Sequence, residues 1–281
     1  MKPAPFAYAK ARSVADAVKL LGEHSEAKLL AGGQSLMATL NMRLSAPSLL
    51  IDLNGISGLD TIAVNDGVVE IGALARHAAV MASDTIAQHA PLIAMAMPHI
   101  AHPAIRNRGT FGGSVAFADP AAELPACFLA LGGEVEITGP GGKRHVKADD
   151  FFKDLYETSI GHDDVLTAIR LPAATADMRY GFAELSRRHG DYAIVGLAAS
   201  GRADGTSLKD VRLSYFGVGL TPTRAKAAEA ALASGRLDGA VKALDSDLDP
   251  PDDIQETGAV KKHLAGVLLR RVAAQMTGVR A

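Results

Sequence analysis

The stretch Ile105–Pro120, IRNRGTFGGSVAFADP, decides the reading of this chain, together with LLAGGQSL at Leu29–Leu36. Each sets a pair of adjacent glycines beside a hydroxyl residue and an apolar run. Glycine opens backbone conformations closed to other residues and lets a ligand come up against the main chain. Successive free amides in such a turn make a concave site for an anion. The first segment offers Gly32, Gly33, Gln34 and Ser35; the second offers Thr110, Phe111, Gly112, Gly113 and Ser114. Two phosphate-sized cradles in one chain point to a diphosphate, and so to a dinucleotide. Plain turn chemistry is the other reading of any Gly-Gly pair that follows a strand.

Neither segment is G-x-G-x-x-G, and Gly141-Gly142-Lys143-Arg144 lacks the upstream glycine and the hydroxyl of a phosphate-binding P-loop. Rossmann and Walker sites are therefore unsupported. A chain of 281 residues, 48% of them hydrophobic, can bury a core divided among two or three subdomains. Its formal net charge of −2 gives nucleic acid or an anionic membrane no electrostatic reason to bind. No apolar run reaches the roughly 18–20 residues that span a bilayer. The opening MKPAPFAYAKARS lacks the apolar core of a signal peptide, so a cytoplasmic protein is expected. The lone Cys127, in PACFLAL, excludes an internal disulfide and reads as a small buried hydrophobe. An iron–sulfur cluster needs about four cysteine ligands, so this chain cannot hold one by itself. His99 and His102 in PHIAHPAIRN stand between Pro98 and Pro103 without an evident third ligand. They are expected to line the approach to the second glycine segment or to cap nearby backbone.

Ser13 followed by Asp16 reads as a helix start, with Val14, Ala17, Val18 and Leu21 on one face and Gly22 able to close it. Strands at Lys28–Ala31 and Leu49–Leu53 complete a small βαβ-like unit whose glycine segment lies at a strand end. The pattern then predicts a strand at Val68–Ile71, helices at Arg76–Met81, Thr85–Met97 and Pro120–Leu131, and a loop at Gly109–Ser114. Glu134–Thr138 pairs across the Gly139–Gly142 turn, and Val165–Leu171 is a further strand. Beyond a linker at Pro172–Asp177, strand-like runs at Tyr180–Arg188, Ile194–Gly201 and Leu213–Val218 precede Ala-rich helices. These helices lie around Thr223–Ala233, Leu237–Leu244 and Gln255–Gln275, with a loop at Asp245–Asp253. Strands followed by a block of helices suggest an α+β domain. The last helix is expected to turn Val260, Leu264, Val267, Leu268 and Val272 toward the sheet.

The order of AGGQSL, Arg43, Pro47, LLIDL, RNRGTFGGSVAFADPAAELP, VLTAIRLP at Val165–Pro172 and RRHGDYAIVG at Arg187–Gly196 resembles a known family. It is similar to the FAD-binding medium subunit of molybdenum hydroxylases, which include aerobic carbon monoxide dehydrogenase and the flavin part of xanthine dehydrogenase. The likeness runs over essentially the whole chain. It implies an α+β oxidoreductase subunit with a two-part FAD-binding domain of the PCMH type, at 1–57 and 58–172. A C-terminal α+β domain of antiparallel strands plus helices, at 177–281, would follow.

By this resemblance Ala31, Gly32, Gly33, Gln34, Ser35 and Leu36, with Thr110, Phe111, Gly112, Gly113 and Ser114, wrap the diphosphate and ribityl region of FAD. Neither Ala31–Leu36 nor Thr110–Ser114 contains Lys or Arg, which leaves backbone amides as donors, and neither contains His or Cys, which argues against a covalent flavin. Glu123 falls near the flavin's sugar-alcohol chain, where the family often has Asp; a carboxylate favoured by a helix N-terminus is the other reading. Tyr192 would stand over one face of the isoalloxazine ring, or else simply start a buried strand. Leu166 would touch the ring or the adenine side. Gln34 stands where carbon monoxide dehydrogenases often have His, and Ala38 where many relatives have Pro, and neither change removes a backbone donor. The resemblance implies electron transfer, with no catalytic group for substrate hydroxylation and no metal ligand on this chain. The implied partners are a molybdenum-bearing large subunit and an iron–sulfur small subunit, in a dimer of heterotrimers. A stand-alone FAD-dependent oxidase and a module that has lost FAD are the alternatives.

Overall fold

The computed structural model describes residues 1–205 and 207–278. Ala7–Lys10 (β1), Ala27–Leu30 (β2) and Leu49–Asp52 (β3) form a parallel sheet in the order β1-β3-β2. Parallel neighbours need crossovers, and Val14–Glu23 (α1) and Leu36–Asn41 (α2) provide them. Ser13 caps α1 as expected, its hydroxyl accepting from the Asp16 amide at 3.1 Å. The helix runs past Gly22 to Glu23. β1 carries no apolar alternation that would mark it: AYAK is a four-residue edge strand, largely exposed.

The second sheet is antiparallel. Its strands are Ile62–Asn65 (β4), Val68–Gly72 (β5), Glu134–Gly139 (β6), Gly142–Lys147 (β7) and, after a small hairpin of Phe152–Asp154 (β8) and Glu157–Thr158 (β9), Val165–Pro172 (β10). The order β4-β5-β10-β6-β7 puts the last strand in the middle. Between β5 and β6 come His77–Met81 (α3), Asp84–His89 (α4), Pro91–Ala96 (α5), Pro103–Arg106 (α6), Phe111–Phe117 (α7) and Glu123–Leu131 (α8). The helix expected over Thr85–Met97 is broken at Ala90, because Pro91 has no N–H to extend α4 and takes the first position of α5. Likewise α8 starts only at Glu123. Asp119 Oδ1 accepts from the Ala121 amide at 2.9 Å and turns the chain beforehand.

In the third sheet Met178–Leu185 (β11), Val195–Asp204 (β12), Ser207–Phe216 (β13) and Thr223–Arg224 (β14) lie antiparallel in chain order. The strand expected to reach Arg188 stops at Leu185, where the chain turns. Short helix Ala148–Phe151 (α9) follows β7, while Lys226–Ala233 (α10), Leu237–Asp247 (α11) and Gly258–Thr277 (α12) close the chain. α10 and α12 cover one face of this sheet, where Val195, Leu197 and Ala199 meet Leu268 and Val272, and α11 packs on both helices. The other face packs on α5 and α8, where Phe182, Ala198 and Phe216 join Leu92, Ile93 and Phe128. Burial on both faces explains why β12 reads as a continuous small-apolar run. The stripe that α12 buries is rotated from expectation. It runs through Ala265, Leu268, Leu269, Val272 and Met276, and leaves Val260 39% exposed.

The α+β architecture is as expected, and Cys127 is fully buried. Phe216 ties the third sheet to the middle of the chain: it is fully buried and stacks on Phe182 at 5.9 Å. Phe216→Ala should lower unfolding free energy by about 3–5 kcal/mol in a denaturant titration.

Candidate functional site

Between β2 and α2 the chain turns through Ala31–Ser35. Gly33 has a φ of +72°, in the left-handed region. The amides of Gly32, Gly33, Gln34 and Ser35 donate to no acceptor among the described residues, while the Gln34 side-chain amide donates to the Gly32 carbonyl at 3.1 Å. This is the row of free donors that the sequence predicts. The turn lines a cleft of about 520 Å³ together with Tyr8, Met37, Asp52, Asn54 and Arg108.

The second glycine segment is brought against the first. A Cβ at Gly32 would collide with the Arg108 carbonyl and stand 2.8 Å from the Gly109 Cα, so only glycine fits. A Cβ at Gly113 would lie 3.8 Å from that of Ala31. The second segment is a helix start, however, and this corrects the expectation of a loop with free amides. The Thr110 hydroxyl accepts from the Gly113 amide at 3.1 Å, capping α7. Phe111 donates to Ala75, Gly112 to Ala73 and Ser114 to the Thr110 carbonyl, at 2.9, 3.0 and 3.0 Å. Gly112 is needed for close packing, since a Cβ there would lie 2.5 Å from the Ala73 Cα. Phe111 and Gly112 are buried, and Gly113 and Ser114 are half-buried.

A polar network absent from the sequence reading holds the two segments in place. The buried Asp52 carboxylate accepts from the Tyr8 hydroxyl at 2.5 Å, and from the Asn54 amide and side chain at 2.9 and 2.6 Å. Asn54 also donates to the Ala31 carbonyl at 2.8 Å. Arg76 donates to Asn54 Oδ1 and to the Arg108 carbonyl. Burial alone would raise the Asp52 pKa, but the Tyr8 and Asn54 hydrogen bonds and the charge of Lys10 hold it below the usual carboxylate range. One carboxylate thus links the end of β3 to both glycine segments.

Further along, Glu123 opens α8 and is 9% exposed. Burial, with the Glu184 carboxylate nearby, pushes its pKa up to about 8. Glu184, from β11, has a side chain only 3% exposed and pairs with His99 Nδ1 at 3.3 Å. His99 therefore faces the third sheet instead of the second glycine segment, its ring 5.1 Å from Phe182 and 5.8 Å from His189. Tyr192 does not start a buried strand. It lies in the β11–β12 loop, 57% exposed. Desolvation, then Asp119, Tyr156 and Glu123, push its pKa up to about 12. Gly190, two residues earlier, packs that loop against the Ala101 backbone. Leu166 is 6% exposed and shares the central core with Phe111 and Val115. No group of metal-ligating side chains occurs among the described residues, and none of their helices is long and apolar enough to cross a membrane.

A turn with free amides between β2 and α2, packed against the α6–α7 connection that opens the second glycine segment, and followed by an antiparallel C-terminal sheet, is an arrangement suited to holding a diphosphate cofactor. Residues 4–174 match the family described as the FAD binding domain in molybdopterin dehydrogenase, and 180–276 match the CO dehydrogenase flavoprotein C-terminal domain. The chain belongs to this family of FAD-binding medium subunits. It is 38% identical to the 6-hydroxypseudooxynicotine dehydrogenase complex subunit alpha of Paenarthrobacter nicotinovorans, over 98% of this chain and 95% of the relative. It is 33% identical to the carbon monoxide dehydrogenase medium chain of Hydrogenophaga pseudoflava, over 96% of each. The structure of carbon monoxide dehydrogenase from H. pseudoflava lacking the Mo-pyranopterin moiety superposes with a TM-score of 0.96, at 35% identity and full coverage of both chains. Quinoline 2-oxidoreductase from Pseudomonas putida 86 gives 0.93, at 32% identity and 99% coverage of both.

Two outcomes are expected. Gly33→Val forces a branched side chain into a left-handed residue whose Cβ would already stand 3.2 Å from Leu30; FAD retention after desalting should collapse while the C-terminal domain stays folded. Wild-type retention would make the turn an ordinary one. The second concerns Glu123, whose folded pKa lies above its ordinary 4.5. The folded protein holds the extra proton, so this contribution to stability is complete below about pH 4.5 and is lost as pH rises through about 8. The Tm of flavin-free wild type should therefore fall relative to Glu123→Gln between about pH 6 and about pH 9.

Proposed function

We propose that this chain is the FAD-carrying electron-transfer subunit of a molybdenum hydroxylase. Electrons released at molybdenum on a large partner subunit reach it through the clusters of an iron–sulfur small subunit. It passes them to an external acceptor. The observation that carries the proposal is the packing of Gly32 against Arg108–Gly109, which sets four free amides in a cleft that Arg108 also lines. Main-chain donors and an arginine are what a diphosphate requires. With a single cysteine, the chain leaves the clusters to its partners.

In this reading Ala31–Leu36 bind the diphosphate, joined by Arg108, a residue the motif alone does not mark. Thr110–Ser114 contribute through the half-buried Gly113 and Ser114 at the positive end of α7, while Phe111 and Gly112 seat that helix. Glu123, neutral near pH 7, donates a hydrogen bond to a ribityl hydroxyl. Tyr192 covers one face of the ring, and Leu166 backs its wall from the core. FAD supplies the redox chemistry, accepting electrons from one partner and releasing them to another. The protein positions the cofactor and limits access to its reactive edge. The chain divides at 1–57, 58–172 and 177–281, works in the cytoplasm and assembles with its partners as a dimer of heterotrimers.

Acid or heat should release about one FAD per chain, identifiable against FMN by chromatography. The isolated subunit should not be reduced by organic substrates, and substrate-dependent flavin reduction should appear when both partners are present. Tyr192→Ala should keep FAD yet change the rate of flavin reoxidation by oxygen or a quinone. Recovery of FMN alone overturns the proposal; flavin reduction by substrate in the purified chain points instead to a stand-alone oxidase.

A further inference from the structure

The β11–β12 loop, residues 186–194, meets the middle region at the turn 100–102. A Cβ at Gly190 would stand 2.9 Å from the Ala101 carbonyl oxygen and 3.2 Å from the His102 ring. Ala101 has a φ of +47°, and the Arg106 guanidinium donates to the Ile100 and Ala101 carbonyls at 2.8 and 2.7 Å. A left-handed alanine fixed by two charge-assisted hydrogen bonds makes this turn a rigid seat. The polar side-chain bonds within the loop are local. Arg188 pairs with Asp191 at 3.1 Å, and the Ser186 hydroxyl donates to the Arg188 carbonyl at 2.9 Å. They shape the loop without tying it to its seat.

His99, two residues before Ala101, supplies a tie. Its Nδ1 lies 3.3 Å from Glu184 Oε1, and its ring is 5.8 Å from that of His189 in the loop. Glu184 is the penultimate residue of β11 and shares the strand face of Phe182, two residues earlier. Its side chain is 3% exposed, and its Oε2 meets no hydrogen-bond partner among the described residues. A carboxylate so buried needs a countercharge. The His99 side chain, 34% exposed, can exchange protons with solvent. The hydrogen bond to Glu184 raises its pKa above the ordinary 6.5 against desolvation, and the charges of Glu184 and Glu123 add to the rise. The other charged or titratable groups around the junction are His102, Arg106, His189 and the Arg188–Asp191 pair.

We infer that the His99–Glu184 pair is a proton-operated latch that positions the β11–β12 loop, and with it Tyr192, on the turn 100–102. With His99 protonated, cation and carboxylate compensate one another and the ring packs against His189. A neutral His99 can still donate from Nδ1, but Glu184 then lacks its countercharge, and opening of the junction is favoured because it lets water reach the carboxylate. The folded pKa of His99 is the raised one, so the latch is fully closed below about pH 6.5 and weakens as pH rises through the folded value. The latch belongs to the chain itself. On the FAD reading given above, it sets how firmly the Tyr192 phenol is kept over the ring.

The test is hydrogen exchange, followed by mass spectrometry, on the flavin-free full chain, with rates corrected for chemical exchange at each pH. A hydrogen bond to a charged group can shift a local opening equilibrium about tenfold. Protection of 186–194 should therefore fall about tenfold between about pH 6 and about pH 8.5, while the core of β12 keeps its protection. His99→Gln should exchange in this loop at the alkaline wild-type level at both pH values, and Glu184→Gln should also lose the step. Glu123, whose pKa is about 8, titrates over the same range; Glu123→Gln should keep the step, moved to lower pH. A wild-type loop equally protected at both pH values, a step that survives His99→Gln, or one that disappears in Glu123→Gln would each overturn the inference. Because no flavin is present, failure of the chain to bind FAD would leave this result untouched.

Discussion

No side chain can stand at position 32, because the backbone of Arg108 and Gly109 lies directly on it. That contact brings a turn of the parallel sheet onto the start of a helix from the middle region. The cleft beside it exists only while the two stay together. Asp52, Asn54 and Arg76 span the junction through hydrogen bonds at both ends. A bond to a charged group contributes about 1.5–3 kcal/mol, so breaking this network would loosen the site well before the separate cores unfold. The two glycine pairs consequently differ in kind. Gly32-Gly33 shapes a surface with open donors, whereas Gly112 seats a helix against Ala73.

Much of this was legible in the sequence wherever the cause is local. Gly33 marks a left-handed turn, Ser13 a helix cap, and the apolar run around Cys127 a buried helix, each within a few neighbouring residues. The α+β order of elements follows from such signals. Thr110 stands before an apolar run, which is a cap signature. The glycine pair behind it is equally the signature of a turn, and the two signals are not separable locally. Pro91 is a local signal for the break between the two helices that the fold shows. Asp52, Arg76 and Arg108 were beyond reach, because their roles depend on partners distant in sequence. Asp52 closes an apolar strand and would have been flagged only as an acid in a place usually given to hydrophobes.

The third sheet is fastened on both faces, and this bears on how its tyrosine is presented. Phe182 and Phe216 enter the central core, while Val195, Leu197 and Ala199 enter the C-terminal one. Polar ties reinforce the seam. Ser200 donates to the Ala130 carbonyl at 2.7 Å, Gly217 to Pro120 at 2.8 Å, and Arg212 bridges Leu129 and Asp149. The β11–β12 loop accordingly projects from a braced platform, with Gly190 pressed on Ala101.

The place of β10 has a consequence for how the protein is made. It is inserted between β5 and β6, strands that leave the ribosome long before it does. Until Val165–Pro172 emerges, Val69, Ile71, Val135 and Ile137 belong to strands with an empty slot between them, and the nascent chain exposes open sheet edges. Every intervening helix, including the one that carries the second glycine segment, is already synthesised by then. A stalled or truncated product ending before residue 165 would present those edges to other chains and be prone to aggregate. Chaperone protection during elongation should therefore matter most over this interval, and the cleft can reach its final shape only after β10 has zipped into place.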